Sequence, residues 1–204
     1  HAEWTESAHV KIASDRSNFG GVTGLTQAES NYAFLVGCYA LCKGRVEIEP
    51  KNGTDYTANA GGIAGTLANS TIAGCTVKAK NIYGHNASSP SLIGVSGIAA
   101  YVVGVSSVSD CKAYATLIRN STVLGTEDAS VTPDNLFGMG MIVGIDAGTT
   151  TVTNCGVGGS FYLGASEKPQ ELILTLDADS YAKGIIGSGK TATVGGCYYW
   201  NGEE

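Results

Sequence analysis

The sequence predicts an all-β fold: a parallel β-helix-like solenoid of about five turns, with one cysteine-containing repeat per turn. Three observations carry that expectation. A short motif ending in Cys recurs five times, a glycine-flanked motif precedes every copy, and the segments between are short, β-branched and punctuated by Gly, Asn and Ser. Strand-and-turn chemistry has that composition, and no segment shows a long 3.6-residue apolar stripe with helix caps.

The cysteine motif reads Phe34-Leu35-Val36-Gly37-Cys38, Thr71-Ile72-Ala73-Gly74-Cys75, Ser107-Val108-Ser109-Asp110-Cys111, Thr151-Val152-Thr153-Asn154-Cys155 and Thr193-Val194-Gly195-Gly196-Cys197. Each copy has an aliphatic residue three before Cys and Gly, Asp or Asn directly before it. The preceding element reads Gly21-Val22-Thr23-Gly24, Gly62-Ile63-Ala64-Gly65, Gly97-Ile98-Ala99-Ala100, Met141-Ile142-Val143-Gly144 and Gly184-Ile185-Ile186-Gly187. It starts 17, 13, 14, 14 and 13 residues ahead of its Cys, and the cysteines are 37, 36, 44 and 42 residues apart. Units of that size also build propeller blades, but no Trp-Asp dipeptide recurs here. The solenoid assigns 1–18 to an N-terminal cap or lead-in strand and 19–204 to one domain, with repeats at about 19–58, 59–93, 94–135, 136–180 and 181–204.

Parity gives the corner. An aliphatic residue at −3 and a Cys at 0 would face opposite sides of a straight strand, so a bend at the small residues between them is expected to turn both inward. Beyond the Cys, +2 (Ala40, Val77, Ala113, Val157, Tyr199) and +4 (Cys42, Ala79, Ala115, Gly159, Asn201) then point inward, and +1 and +3 outward, with the last copy departing at its end. One turn cannot bury its apolar face alone, so the turns stack and Cys38, Cys75, Cys111, Cys155 and Cys197 form a structural core column. A later strand in each turn is expected at 80–83, 115–118 and 172–176.

Gly-apolar-apolar/small-Gly followed by aliphatic-x-x-Cys resembles the GLUG-type repeat, most clearly at Gly62-Ile63-Ala64-Gly65 with Cys75 and Gly184-Ile185-Ile186-Gly187 with Cys197. The likeness spans most of 19–200; Ala100 and Met141 depart from it at glycine positions. Such repeats occur in large secreted or surface-attached bacterial proteins, adhesin-like chains among them. The resemblance implies an extracellular or cell-surface setting at a bacterial envelope and a scaffold role, and it brings no catalytic residues.

Composition narrows the function classes. Charged residues are 15% of the 204, Gly numbers 29, and the net charge is −6. An acidic chain lacks the basic surface of non-specific nucleic-acid binding. The longest apolar run, 97–105, is far short of a membrane span. A chain starting at His1 without Met is expected to have lost a leader, a tag or a longer precursor segment.

Each chemical motif competes with a bland alternative. Gly184-Ile185-Ile186-Gly187-Ser188-Gly189-Lys190-Thr191 matches the P-loop pattern, yet strand sequence follows where a P-loop needs a helix, so no nucleotide is expected. No Cys-x-x-Cys occurs and there are only three His, so no metal or other cofactor is assigned. Column thiols with parallel Cβ vectors suit free core thiols better than disulfides; Cys38 with Cys42 is the expected exception. The outward row (Tyr39, Leu41, Thr76, Lys78, Lys112, Tyr114, Gly156, Gly158, Tyr198, Trp200) has no carboxylate for acid–base work. Lys78, Lys112 and Tyr114 are the candidate ligand face, two cations and an aromatic suited to an anionic or sugar-bearing ligand. Asp177 and Asp179 read as a solvated turn, and Asn52, Asn69, Asn86 and Asn120 head glycosylation triplets unused in a bacterium. Trp4 and Tyr198-Tyr199-Trp200 are expected to cover the two ends of the stack.

The expected function is therefore a non-catalytic secreted or cell-surface scaffold contacting carbohydrate or a host or cell-surface protein. One competitor is a polysaccharide lyase or hydrolase on the same scaffold, its carboxylates drawn from 127–134 or 167–179. The other is a repeat fragment of a larger surface protein whose activity lies elsewhere.

Overall fold

The computed structural model describes residues 1–6, 8–13, 16–27, 33–49, 57–86, 92–121, 138–163, 170–172, 184–188 and 192–203. Among them all regular structure is strand, and the strands build a β-solenoid with four parallel walls. The first wall contains Arg16–Gly20, Thr57–Gly61, Leu92–Ser96 and Met139–Gly140. The second contains Thr23–Gln27, Ala64–Ala68, Ala99–Val103, Val143–Asp146 and Ile186–Ser188. The third contains Ala33–Val36, Ser70–Ala73, Val105–Ser109, Thr149–Thr153 and Thr193–Gly195. The fourth and longest contains Tyr39–Glu49, Thr76–Asn86, Lys112–Ser121, Gly156–Leu163 and Tyr198–Tyr199.

Three turns run through all four walls without a break in the described residues, at 57–86, 92–121 and 138–163. Strands of 16–49 also occupy all four walls and those of 186–199 three of them, so among the described residues about three turns are continuous where the repeats suggest five. At the start, Ala2–Trp4 and His9–Ala13 add one further layer to the fourth wall, parallel to Tyr39–Glu49. Near the other end Gln170–Leu172 joins Gly156–Leu163 antiparallel, the one pairing of that sense among the described strands.

Among the described residues, turns two and three show no separate later strand. Residues 80–83 and 115–118 instead prolong the fourth-wall strands, and a register shift after Ala79 absorbs the unequal lengths of neighbouring layers. Of 172–176, only Leu172 is described.

The corners follow the repeat. Gly37, Gly74, Asp110, Asn154 and Gly196, each directly before its Cys, all adopt positive φ, between 52° and 66°. Gly, Asn and Asp tolerate that left-handed backbone best, hence their monopoly of the position. The chain turns from third wall to fourth there without losing its ladder: Gly74 N–H reaches Ser109 O (3.0 Å), and Lys112 N–H reaches Cys75 O (2.8 Å). At the corner between the first two walls, Ile63, Ile98, Ile142 and Ile185 stack fully buried, and each N–H of Ile63 and Ile142 bonds the carbonyl of the isoleucine one layer on, at 3.0 Å. Backbone groups that a corner would orphan are thereby satisfied.

Leu35, Ile72, Val108, Val152 and Val194 turn inward with the cysteines, as parity requires. The sulfurs stack in sequence: Cys38 N–H donates to Cys75 Sγ (3.3 Å) and Cys75 N–H to Cys111 Sγ (3.4 Å). Each thiol in turn donates to the carbonyl two residues back, Cys111 to Ser109 at 3.1 Å and Cys155 to Thr153 at 3.3 Å. All six cysteines are free. Cys38 and Cys42 do not bridge, because four residues of extended chain separate them by roughly 13 Å. Burial pushes the Cys42 thiol up, and burial then Cys75 push up Cys38. Sulfur neighbours Cys155 and Cys75, and then burial, push up Cys111. Hydrogen bonds from neighbouring thiols, Cys111 foremost, outweigh burial at Cys75 and Cys155 and push those two thiols down.

Candidate functional site

Strand alternation divides the fourth wall between core and solvent. Ala40, Val77, Ala113 and Val157 sit in one row of the core. Their sequence neighbours form rows on the outer surface: Thr76 beside Lys112 and Gly156, and Leu41 beside Lys78, Tyr114 and Gly158. The candidate ligand residues Lys78, Lys112 and Tyr114 thus lie on adjacent strands of one face.

That face is partly occupied by the chain's own tail. Trp200 is 7% exposed, and its ring lies edge-on to Tyr114 at 6.4 Å. Lys78 Nζ and Lys112 Nζ each stand 5.6 Å from the indole centroid. Trp200 N–H holds the last layer to Val157 O (2.8 Å), while its Nε1–H donates to Glu203 O (2.6 Å), closing a turn. Gly158 makes the close approach possible, since a Cβ there would lie 1.9 Å from Trp200 O. The expectation that Trp200 covers the end of the core is therefore corrected: it covers the outer face, as its outward +3 position requires. Tyr198 and Tyr199 stay exposed. Trp4 does cover the opposite end, packing on Phe19 at 5.6 Å and reaching Gly21 across the first turn.

Beside this cluster is an open cleft of about 330 Å³ lined by Glu6, Leu41, Cys42, Lys43, Lys78, Ala79, Lys80 and Tyr114. Tyr114, 38% exposed, forms its aromatic wall. Lys43 bonds Glu3 at 3.0 Å, and that carboxylate raises its pKa. Further along the strands, Glu47 is nearly buried and faces three half-exposed basic side chains: Arg45 at 2.9 Å, His9 at 3.1 Å and Lys11 at 3.3 Å. Burial works against its charge, but the His9 hydrogen bond, Arg45 and Lys11 outweigh it and leave the pKa lowered. Arg45 also lies over the Tyr83 ring at 4.4 Å.

Lys43, Lys80 and Arg45 were not singled out from the sequence. Lys43 and Lys80 are both at +5 of their repeats, and one further step of the alternation places them outward with Lys78. Arg45 needed the strand length, which the repeat does not encode.

Among the described residues, no group of three or more His, Cys, Asp or Glu could hold a metal ion. Residues 184–188 of the P-loop pattern form a corner and a wall strand in parallel with Val143–Asp146, so their backbone belongs to the ladder. Asp177, Asp179 and the carboxylates of 127–134 lie outside the described residues, as do those of 167–179 apart from Glu171. No described helix is long and apolar enough to cross a membrane. The chain matches no protein-family model, and no curated protein or solved structure matches it. The fold and face define a β-solenoid scaffold.

Proposed function

We propose that this chain is a non-catalytic scaffold of GLUG-type repeats, secreted or displayed at a bacterial cell surface, that holds carbohydrate on its fourth wall. One observation carries the reading. In a chain of net charge −6, Lys11, Lys43, Arg45, Lys78, Lys80 and Lys112 gather on one wall with Tyr39, Tyr83, Tyr114 and the Trp200 ring. Aromatic faces stack on the C–H faces of pyranose rings, and lysines bond hydroxyls or acidic substituents. Glu3 and Glu47 are committed to ion pairs and Glu6 is the single carboxylate lining the cleft, so the cleft lacks the carboxylate pair that glycoside hydrolysis uses, which suits holding a glycan better than cleaving it.

A glycan array probed with the full chain tests the reading, with reducing-end assays on every polymer that binds. Binding without release of reducing ends is expected. Absence of binding to any glycan overturns it, and turnover replaces it with the enzyme reading.

A further inference from the structure

Resting on that reading, we propose that the ligand is a linear polyanionic saccharide, such as a polyuronate, lying obliquely across the strands of the fourth wall. Successive layers present lysines outward along a diagonal: Lys43 in Tyr39–Glu49, Lys78 (beside Leu41) and Lys80 in Thr76–Asn86, and Lys112 (beside Thr76) in Lys112–Ser121, with Lys43, Lys78 and Lys112 each offset by two residues along the strand from one layer to the next. Neighbouring strands lie about 4.8 Å apart. A linear uronate chain carries one carboxylate per pyranose and advances by about one pyranose length per unit. Lys43, Lys78 and Lys112 therefore stand about 8 Å apart on the diagonal, so a chain crossing the strands obliquely meets a fresh cation at about every second sugar, whereas a chain running along one strand meets the charges of a single layer.

The cleft fixes the position. Lys43, Lys78 and Lys80 surround it against the lone carboxylate of Glu6, and Tyr114 offers a ring for one sugar to stack on. The competing Lys43–Glu3 pair is solvent-exposed on both sides, so a ligand carboxylate can exchange with it at little cost. Trp200 closes the Lys112 end of the track, since its ring already lies between Lys78 and Lys112. A single-stranded nucleic acid shares the charge and the stacking, but its bases demand aromatic platforms at each step. The cleft offers one, Tyr114.

The test is isothermal titration of the full chain with polygalacturonate, a neutral galactan and a thymidine oligonucleotide, at 50 and 200 mM salt. With three cations engaged, polyelectrolyte linkage gives a slope of about −2 to −3, so polygalacturonate affinity falls roughly 20-fold or more across that range. The double variant Lys43→Gln/Lys80→Gln should weaken binding about tenfold and flatten the slope by nearly two, while Thr151→Gln on the third wall leaves both unchanged. Equal, salt-insensitive binding of galactan overturns the polyanion assignment and leaves the carbohydrate reading standing. Oligonucleotide binding as tight as polygalacturonate overturns the saccharide assignment. Polygalacturonate binding that ignores the double variant overturns the site. If none of the three binds, this inference falls, and the glycan array decides separately whether the carbohydrate reading falls with it.

Discussion

Two glycine-to-alanine substitutions in one repeat separate the two demands that stacking makes on the chain. At Gly62 the backbone φ is ordinary, but an added Cβ would lie 2.1 Å from Gly97 O and 2.6 Å from a Val77 methyl. The layers must part by more than 1 Å for an ordinary contact. That loosens the bonds from Gly62 N to Ser96 O (3.1 Å) and from Ile63 N to Ile98 O (3.0 Å). Two ladder bonds at about 1 kcal/mol each, with about 1–3 kcal/mol of overpacking, put Gly62→Ala near 4 kcal/mol. At Gly74 the situation reverses: φ is +62°, and the nearest atom to an added Cβ is Gly37 N at 3.9 Å. Only the left-handed backbone penalty of about 1–2 kcal/mol acts, reduced by roughly 0.5 kcal/mol through the stiffer unfolded chain. Gly74→Ala should therefore cost about 1 kcal/mol. In urea, with a slope near 2 kcal/mol/M, the circular-dichroism midpoints should drop by about 2 M and about 0.5 M respectively. Equal drops for the two variants would refute the claim that Gly62 is pressed between successive layers.

Three further outcomes follow from the same geometry. Because the Glu47 pKa is lowered on folding, its contribution is complete above the ordinary carboxylate value of 4.5 and disappears as pH falls through the lowered one. Glu47→Gln should thus cost about 1–2 kcal/mol at pH 7, given its half-exposed partners, and should flatten the acid limb of a stability–pH curve; an unchanged limb contradicts the network. Thiol titration should find six free groups in unreduced, unfolded protein, and in the native state Cys38 and Cys197, at the ends of the column, should react before Cys75, Cys111 and Cys155; early labelling of Cys111 would contradict the column. Trp200→Ala should remove about 3 kcal/mol from the last layer rather than from the whole stack, since repeat layers depend on their neighbours. It should appear as a separate early transition in urea and as faster acylation of Lys78 and Lys112, and unaltered lysine reactivity would argue against the indole contact.

Much of the architecture was legible because the repeat constrains it. The −3 aliphatic and the Cys can both reach the core only if the residue between them and the strand is bent, and the corner proved to be the Gly, Asp or Asn before each Cys. The long fourth wall was less legible. Its strand passes through Ala79, Lys80 and Asn81 with a register shift, and local composition there looks like the end of one strand and the start of another. The candidate face was half visible: Lys78, Lys112 and Tyr114 came from parity, but Trp200 was assigned to the end of the stack by its aromatic character against its own outward parity. Glu47 was invisible in advance, since its partners His9 and Lys11 belong to a layer outside the repeat.

The stacking itself is tested most directly by the anomalous scattering of sulfur in crystals of the protein. The sulfurs of Cys38, Cys75, Cys111, Cys155 and Cys197 should appear as a single row with neighbours separated by about one strand spacing, ~4.8 Å, and with Cys42 displaced from it. Five sulfur peaks scattered through the molecule, or joined in pairs at a bonded separation of about 2 Å, would contradict it.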